Sequence, residues 1–209
     1  MRKVFLTNME LEKTLPKSYV SNDFDISSEA YCYPITYLIE NNVEDGDVVI
    51  VISVAVDEED NSNFSVRNSF SFEQEVKKAL ALKSNVDIEF ERIMLDGELS
   101  PASFNKCFKN IIELTDDEDQ IFMDLSFGHR IFSFSMFAAC NYAAKASYDL
   151  NIDTVIYSSK SVKHNQSETI TNWNIYDCTS LFRLNELAAE ARPGDRIALD
   201  ELLNFIIEE

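Results

Sequence analysis

Ser126, Gly128, His129 and Arg130 stand where an apolar run, Ile121 to Leu125, gives way to a helical pattern carrying Phe132, Met136, Phe137, Cys140 and Tyr142. A hydroxyl, a glycine, an imidazole and a guanidinium within five residues suit the holding of an anion. At a strand-to-helix turn the backbone adds to this, because the first N–H groups of a helix lack intrahelical partners and its dipole places positive potential there. Gly128 permits a close backbone approach. The same pattern also describes a plain strand-to-helix turn with a capping serine, which any α/β protein contains.

The elements that must position this turn follow from periodicity. Val4–Thr7 reads as a first strand, and 8–29 is a polar connection without a strong period. Helix is expected over 31–41, with Pro34 in its first turn. The β-branched run 47–53 has the pattern of a strand buried on both faces. An acidic loop to about Asn68 precedes a helix over 72–83, a strand over 86–95 and a helix opened by Ser100-Pro101 that runs to about Leu114. Strand 120–125, the helix from His129 or Arg130 to about Tyr148, strand 154–157, a polar loop over 158–171, a short strand 174–178 and a helix over 181–191 complete the pattern. Strands alternating with helices predict a doubly wound α/β fold, a mostly parallel six-stranded sheet with helices on both faces. Residues 1–192 read as that domain and 193–209 as a helical extension, with an apolar stripe over 199–207.

Ligands of such sheets bind at the C-terminal strand ends, where the strand order reverses. That rule selects four segments: Thr7, Asn8 and Met9; Ser53 with Val54 and Ala55; Ser126, Phe127, Gly128, His129 and Arg130; and the loop after Tyr157, where Lys160, Lys163 and His164 gather in an acidic protein. The last of these is either a solvated loop or a lid. Trp173 and Tyr176 are available to stack on a base, although Trp173 suits core packing, as do Tyr31, Tyr33 and Tyr37.

Several function classes are excluded or disfavoured. Neither GxGxxG after the first strand nor GxxxxGK[ST] occurs, so the common dinucleotide and P-loop fingerprints are missing. Cys32, Cys107, Cys140 and Cys178 are widely spaced, which argues for free thiols in a reducing cytoplasm over a zinc site. The net charge of −19, from 37 acidic and 18 basic residues, opposes general DNA or RNA binding. A small anionic ligand needs only a local positive site. No run of about 18 apolar residues is present, so no membrane partner is expected, and no cofactor is implied.

Three fragments in order carry a family resemblance. Arg2-Lys-Val-Phe-Leu-Thr7 opens the chain. Asp124-Leu-Ser-Phe-Gly-His-Arg130 resembles an Asp-hydrophobe-Thr/Ser-His-Gly-hydrophobe-Arg motif, and Ile175-Tyr-Asp-Cys-Thr-Ser-Leu-Phe-Arg-Leu184 resembles a hydrophobe-Asp-Leu-Thr-Pro-hydrophobe stretch. Together they resemble the CARF domain, the Rossmann-like sensor of type III CRISPR systems, and specifically the CARF part of CARF–HEPN-type effectors. The resemblance covers roughly residues 1–190. His129 stands two positions from the family's usual histidine, Cys178 replaces a leucine and Ser180 a proline. The resemblance implies a homodimer that binds cyclic oligoadenylate, a tetra- or hexa-adenylate, in a cleft across its two-fold axis. Some CARF domains also cleave the ring by attack of a ribose 2′-hydroxyl on the adjacent phosphate, without metal. On this sequence the phosphates and riboses would meet Thr7, Asn8, Met9 and Ser126–Arg130, with Arg130 either on a phosphate or bracing the loop through Asp124.

No ribonuclease Arg-x(4–6)-His motif, PD-(D/E)xK nuclease motif or deaminase ligand set occurs before Glu209. The partners that the resemblance implies are the messenger itself and an effector domain or protein. The alternative is an α/β enzyme or regulator that binds another phosphorylated small molecule at the same turn. A purely structural partner of a CRISPR complex is a third reading.

Overall fold

In a computed structural model, residues 1–57, 64–97, 99–164, 169–190, 196–197, 200 and 203–204 are described. The architecture is α/β, as the periodicity predicts. Strand β1 (Arg2–Asn8) is followed by β2 (Tyr19–Val20) and helix α1 (Ile35–Asn42), then β3 (Val48–Asp57), α2 (Ser65–Ala79) and β4 (Asp87–Asp96). The second half comprises α3 (Pro101–Leu114), β5 (Gln120–Asp124), α4 (Arg130–Ala146), β6 (Asn151–His164), β7 (Thr169–Asp177) and α5 (Thr179–Glu190).

The sheet order is β2-β7-β6-β5-β1-β3-β4. β1 pairs in parallel with β3 on one side and β5 on the other, so the winding reverses between them. β3 pairs with β4 and β5 with β6 in parallel, whereas β6 and β7 are antiparallel. The sheet has seven strands rather than six, because β2 forms inside the polar connection and pairs with β7 through Tyr19 and Val20. A two-residue strand carries no periodicity, which is why the sequence does not announce it.

Two hydrophobic layers flank the sheet. Phe5, Val49, Val51 and Phe122 turn to one face and pack with Tyr33 and Ile39 of the α1 region and Phe72 and Val76 of α2. Val4, Leu6, Ile50, Ile52 and Met123 turn to the other, against Cys107 and Ile111 of α3, Phe132 and Met136 of α4 and Phe182 of α5. Alternation along each strand supplies both layers, which is the physical content of a two-faced parallel sheet. Tyr31, Tyr33 and Tyr37 are buried in the first layer, and Trp173 packs against it.

Among the boundaries that differ from the sequence reading, three bear on the packing of the fold. α2 begins at Ser65, not Phe72, because its first buried residues are polar: Ser65, Asn68 and Ser69. Asn68 donates to the carbonyls of Glu10 and Glu12, both at 2.8 Å, so the helix buries hydrogen bonds where a pattern search looks for hydrocarbon. α1 begins at Ile35, because Tyr31 is taken by a bridge to Lys17. Residues 158–164 and 169–171, expected in a polar loop, lie in strands: β6 runs on to His164 and β7 begins at Thr169, pairing Ser158 with Ile175 and Lys160 with Trp173. The expected terminal helix over 199–207 lies mostly outside the described residues.

Candidate functional site

β1 and β5 end side by side, and the chain leaves them on opposite faces. Thr7 pairs with Asp124, so both strands finish at one level. The segment after β5, Leu125 to His129, turns into α4, whose N-terminus has no side-chain cap and no acidic residue in its first turn. The segment after β1 starts with Asn8 and Met9 and is pinned by Met9 N–H donating to Val54 O at 2.9 Å.

Asp124 organises this edge. It is fully buried. One carboxylate oxygen accepts from the Ser126 N–H at 2.9 Å and from the Ser126 hydroxyl, and the other accepts from Thr7 Oγ1 at 3.4 Å. The Ile35 amide at the start of α1 donates to it as well. Burial pushes the carboxyl up to about 6, and the donors from Ser126, Thr7 and Ile35 oppose that rise. Ser126 then accepts from the Ser158 N–H at 2.8 Å, which ties the turn to β6. The Ser126 hydroxyl proton is thus committed inside the protein and positions the loop instead of reaching outward.

Gly128 is required by its conformation and by its neighbour. Its φ is +72°, and a Cβ there would overlap the Asn8 side chain. Asn8 in turn donates from Nδ2 to the His129 carbonyl at 3.1 Å, locking the two turns together. Asn8 Oδ1 and His129 Nε2 are buried without a hydrogen-bond partner among the described residues. The His129 ring lies 6.0 Å from the Phe132 ring, edge-on, so the shifted histidine belongs to the α4 side of the turn.

A cavity of about 650 Å³ opens beside this turn. Its floor is Leu125, Ser126, Phe127 and Gly128; Arg130 and Ser133 line it from the first turn of α4. Phe134, Phe137 and Tyr157 give it an aromatic wall, and Glu10 closes the side next to β1. Phe134 is 71% exposed, so its ring is available at the mouth. Arg130 is exposed and takes part in no ion pair among the described residues. At the N-terminal ends of the strands, by contrast, Arg2 meets Asp119 at 2.5 Å and Lys3 meets Asp47 at 2.7 Å.

The sequence-expected residues divide accordingly. Ser126, Phe127, Gly128 and Arg130 line the cavity. Thr7, Asn8 and Met9 are buried behind it and act as its support. Phe127 is 6% exposed, stacked edge-on against Tyr33 at 5.5 Å. Ser53 is not at a strand end: β3 continues four residues further, to Asp57, and Ser53 is buried with its hydroxyl 3.4 Å from Glu91 O. An unbroken β-branched and alanine run past Ser53 explains the extension. Lys160 is exposed on β6 opposite Trp173, away from the cavity lining, and the side chain of Lys163 lies outside the described residues.

Sequence reasoning missed Glu10, Ser133, Phe134, Phe137 and Tyr157 as lining residues, and Lys17 as a clamp. The Lys17 ammonium lies 4.5 Å from the Phe127 ring centre and 4.2 Å from that of Trp173. Burial lowers its pKa, with Glu10 and Asp124 among the acids that oppose this. Ser133, Phe134 and Phe137 follow Arg130 at helical spacing, a signal that becomes readable once the cavity is known to flank α4.

Fold and site define a doubly wound α/β protein with an anion-suited crevice at its topological switch point. No family model matches the chain, and no curated protein matches it either.

Proposed function

We propose that this crevice binds a nucleotide messenger of the cyclic oligoadenylate class, making the protein a sensor of type III CRISPR antiviral signalling. The observation that carries the reading is the unpaired Arg130 at an uncapped helix N-terminus, in one cavity with four aromatic residues. Guanidinium and helix amides suit phosphate; aromatic rings suit bases. Within the motif Asp124–Arg130, which resembles that of CARF domains, Leu125 to Gly128 form the cavity floor and Arg130 its cationic end. A cavity of this size suits one drug-sized ligand. A ring of four or six nucleotides is larger, so the reading includes a second copy of the chain that supplies the other half of the cleft. Whether the ring is then cleaved is a further part of the proposal, tested by chromatographing labelled ring after long incubation.

Calorimetric titration with cyclic tetra- and hexa-adenylate tests the reading. One ring binds with measurable heat at one ring per two chains, and Arg130→Ala weakens it about tenfold to a hundredfold, the range for a hydrogen bond to a charged group. Absence of heat with both rings overturns the reading. Heat with a simple nucleoside phosphate instead would favour a regulator or enzyme for another phosphorylated small molecule.

A further inference from the structure

We infer that Glu10 is a specificity-determining residue that selects bases bearing an exocyclic amino group. The inference rests on the proposed nucleotide-binding reading of the crevice and names what that crevice discriminates. Glu10 is the acidic residue in the cavity lining. An acid in an anion site is costly unless the ligand brings a donor to it. Its geometry is defined: Oε1 accepts from the Leu11 N–H at 3.0 Å, and its carbonyl accepts from Asn68 Nδ2 at 2.8 Å, so the residue is held from both ends. The second carboxylate oxygen has no hydrogen-bond or ion-pair partner among the described residues. The cavity therefore carries a guanidinium and a helix N-terminus on the α4 side and one open carboxylate oxygen on the β1 side.

Coulomb repulsion assigns phosphate to the Arg130 side. Lys17, whose ammonium lies over the Phe127 ring, offsets part of the Glu10 charge from within the protein, so what remains for a ligand to bring to the open oxygen is a neutral donor. Carboxylate accepts only, and the aromatic wall that shares the cavity favours a donor attached to a flat ring. The 6-amino group of adenine has that chemistry. Glu10 would accept one of its protons while the ring lies on the aromatic wall.

The test is a binding ratio. Titrate the native chain with cyclic tetra- and hexa-adenylate and with the same rings built from purine riboside, which lacks only the amino group. The adenylate binds about tenfold or more tightly, as expected for one hydrogen bond to a charged acceptor. In Glu10→Ala the ratio falls to near one, while affinity for the purine ring holds or rises because a negative charge has gone. In Glu10→Gln, which keeps a carbonyl acceptor, part of the ratio returns. Equal ratios in the native chain and Glu10→Ala overturn the inference while leaving the nucleotide site standing. Equal weakening of both rings in Glu10→Ala does the same and assigns Glu10 a structural role. No binding of any ring to the native chain removes the sensor reading and this inference together.

Discussion

Asp124 accepts from Ser126 twice, from Thr7 and from the amide of Ile35, and each donor favours its charged form. Full burial outweighs them and raises its pKa to about 6. Unfolded, the group titrates near about 3.9. Between these values the folded chain holds a proton that the unfolded chain has released. Stability therefore falls as pH rises through the window from 4 to 6, and it is undiminished below it. The shift corresponds to about 3 kcal/mol. Thermal melts at pH 4 and pH 7 of native chain and Asp124→Asn isolate it, since asparagine does not titrate. The advantage of the native chain over the variant shrinks toward neutral pH; a constant difference would overturn the assignment. Function and stability meet here, because the same carboxylate holds the turn that carries Gly128 and Arg130.

At the scale of elements, α1 is capped from outside. Pro34 precedes it and has neither a side-chain acceptor nor an N–H. Glu75 of α2 substitutes, accepting from the N–H of Cys32 at 2.6 Å, the N–H of Tyr33 at 3.1 Å and the hydroxyl of Thr36 at 2.7 Å. Burial raises the pKa of Glu75, but its three donors resist that rise. Glu75→Ala leaves these donors without their acceptor and costs about 3 kcal/mol. Urea unfolding measures it, and a loss below about 0.5 kcal/mol, the range of a bare surface change, would refute the capping role. α1 stands beside β5, so loosening its start also loosens the Asp124 network.

At the scale of the whole molecule, 37 acidic against 18 basic residues leave a net charge of −19. Self-repulsion on this scale opposes compaction, and salt screens it. Raising sodium chloride from about 0.02 to about 0.5 M, across which the Debye length falls well below about 10 Å, raises the melting temperature. A fall in that temperature would mean that the ion pairs at Asp119 and Asp47 outweigh the net repulsion. Among the described residues no helix is long and apolar enough to cross a membrane.

The sequence by itself determined the α/β class, the parallel core strands and the turn at Ser126–Arg130. Runs such as Val49–Ile52 and Ile121–Met123 admit few other environments, and the Ser100-Pro101 start of α3 is a local hydrogen bond, Ser103 N–H to Ser100 Oγ at 3.2 Å. What only the tertiary structure decided is whatever depends on contacts between distant segments. The polar buried face of α2 is visible only with Glu10 and Glu12 beside Asn68. The ribbon of β6 and β7 exists because each strand supplies the other's hydrogen bonds, whatever its side chains. The Gly128 requirement comes from Asn8, 120 residues earlier. The crevice follows the same rule. Arg130 is legible from its place at a helix start, but Glu10 becomes a site residue only when β1 and β5 end side by side, because local patterns encode backbone preference and not the proximity of distant charges.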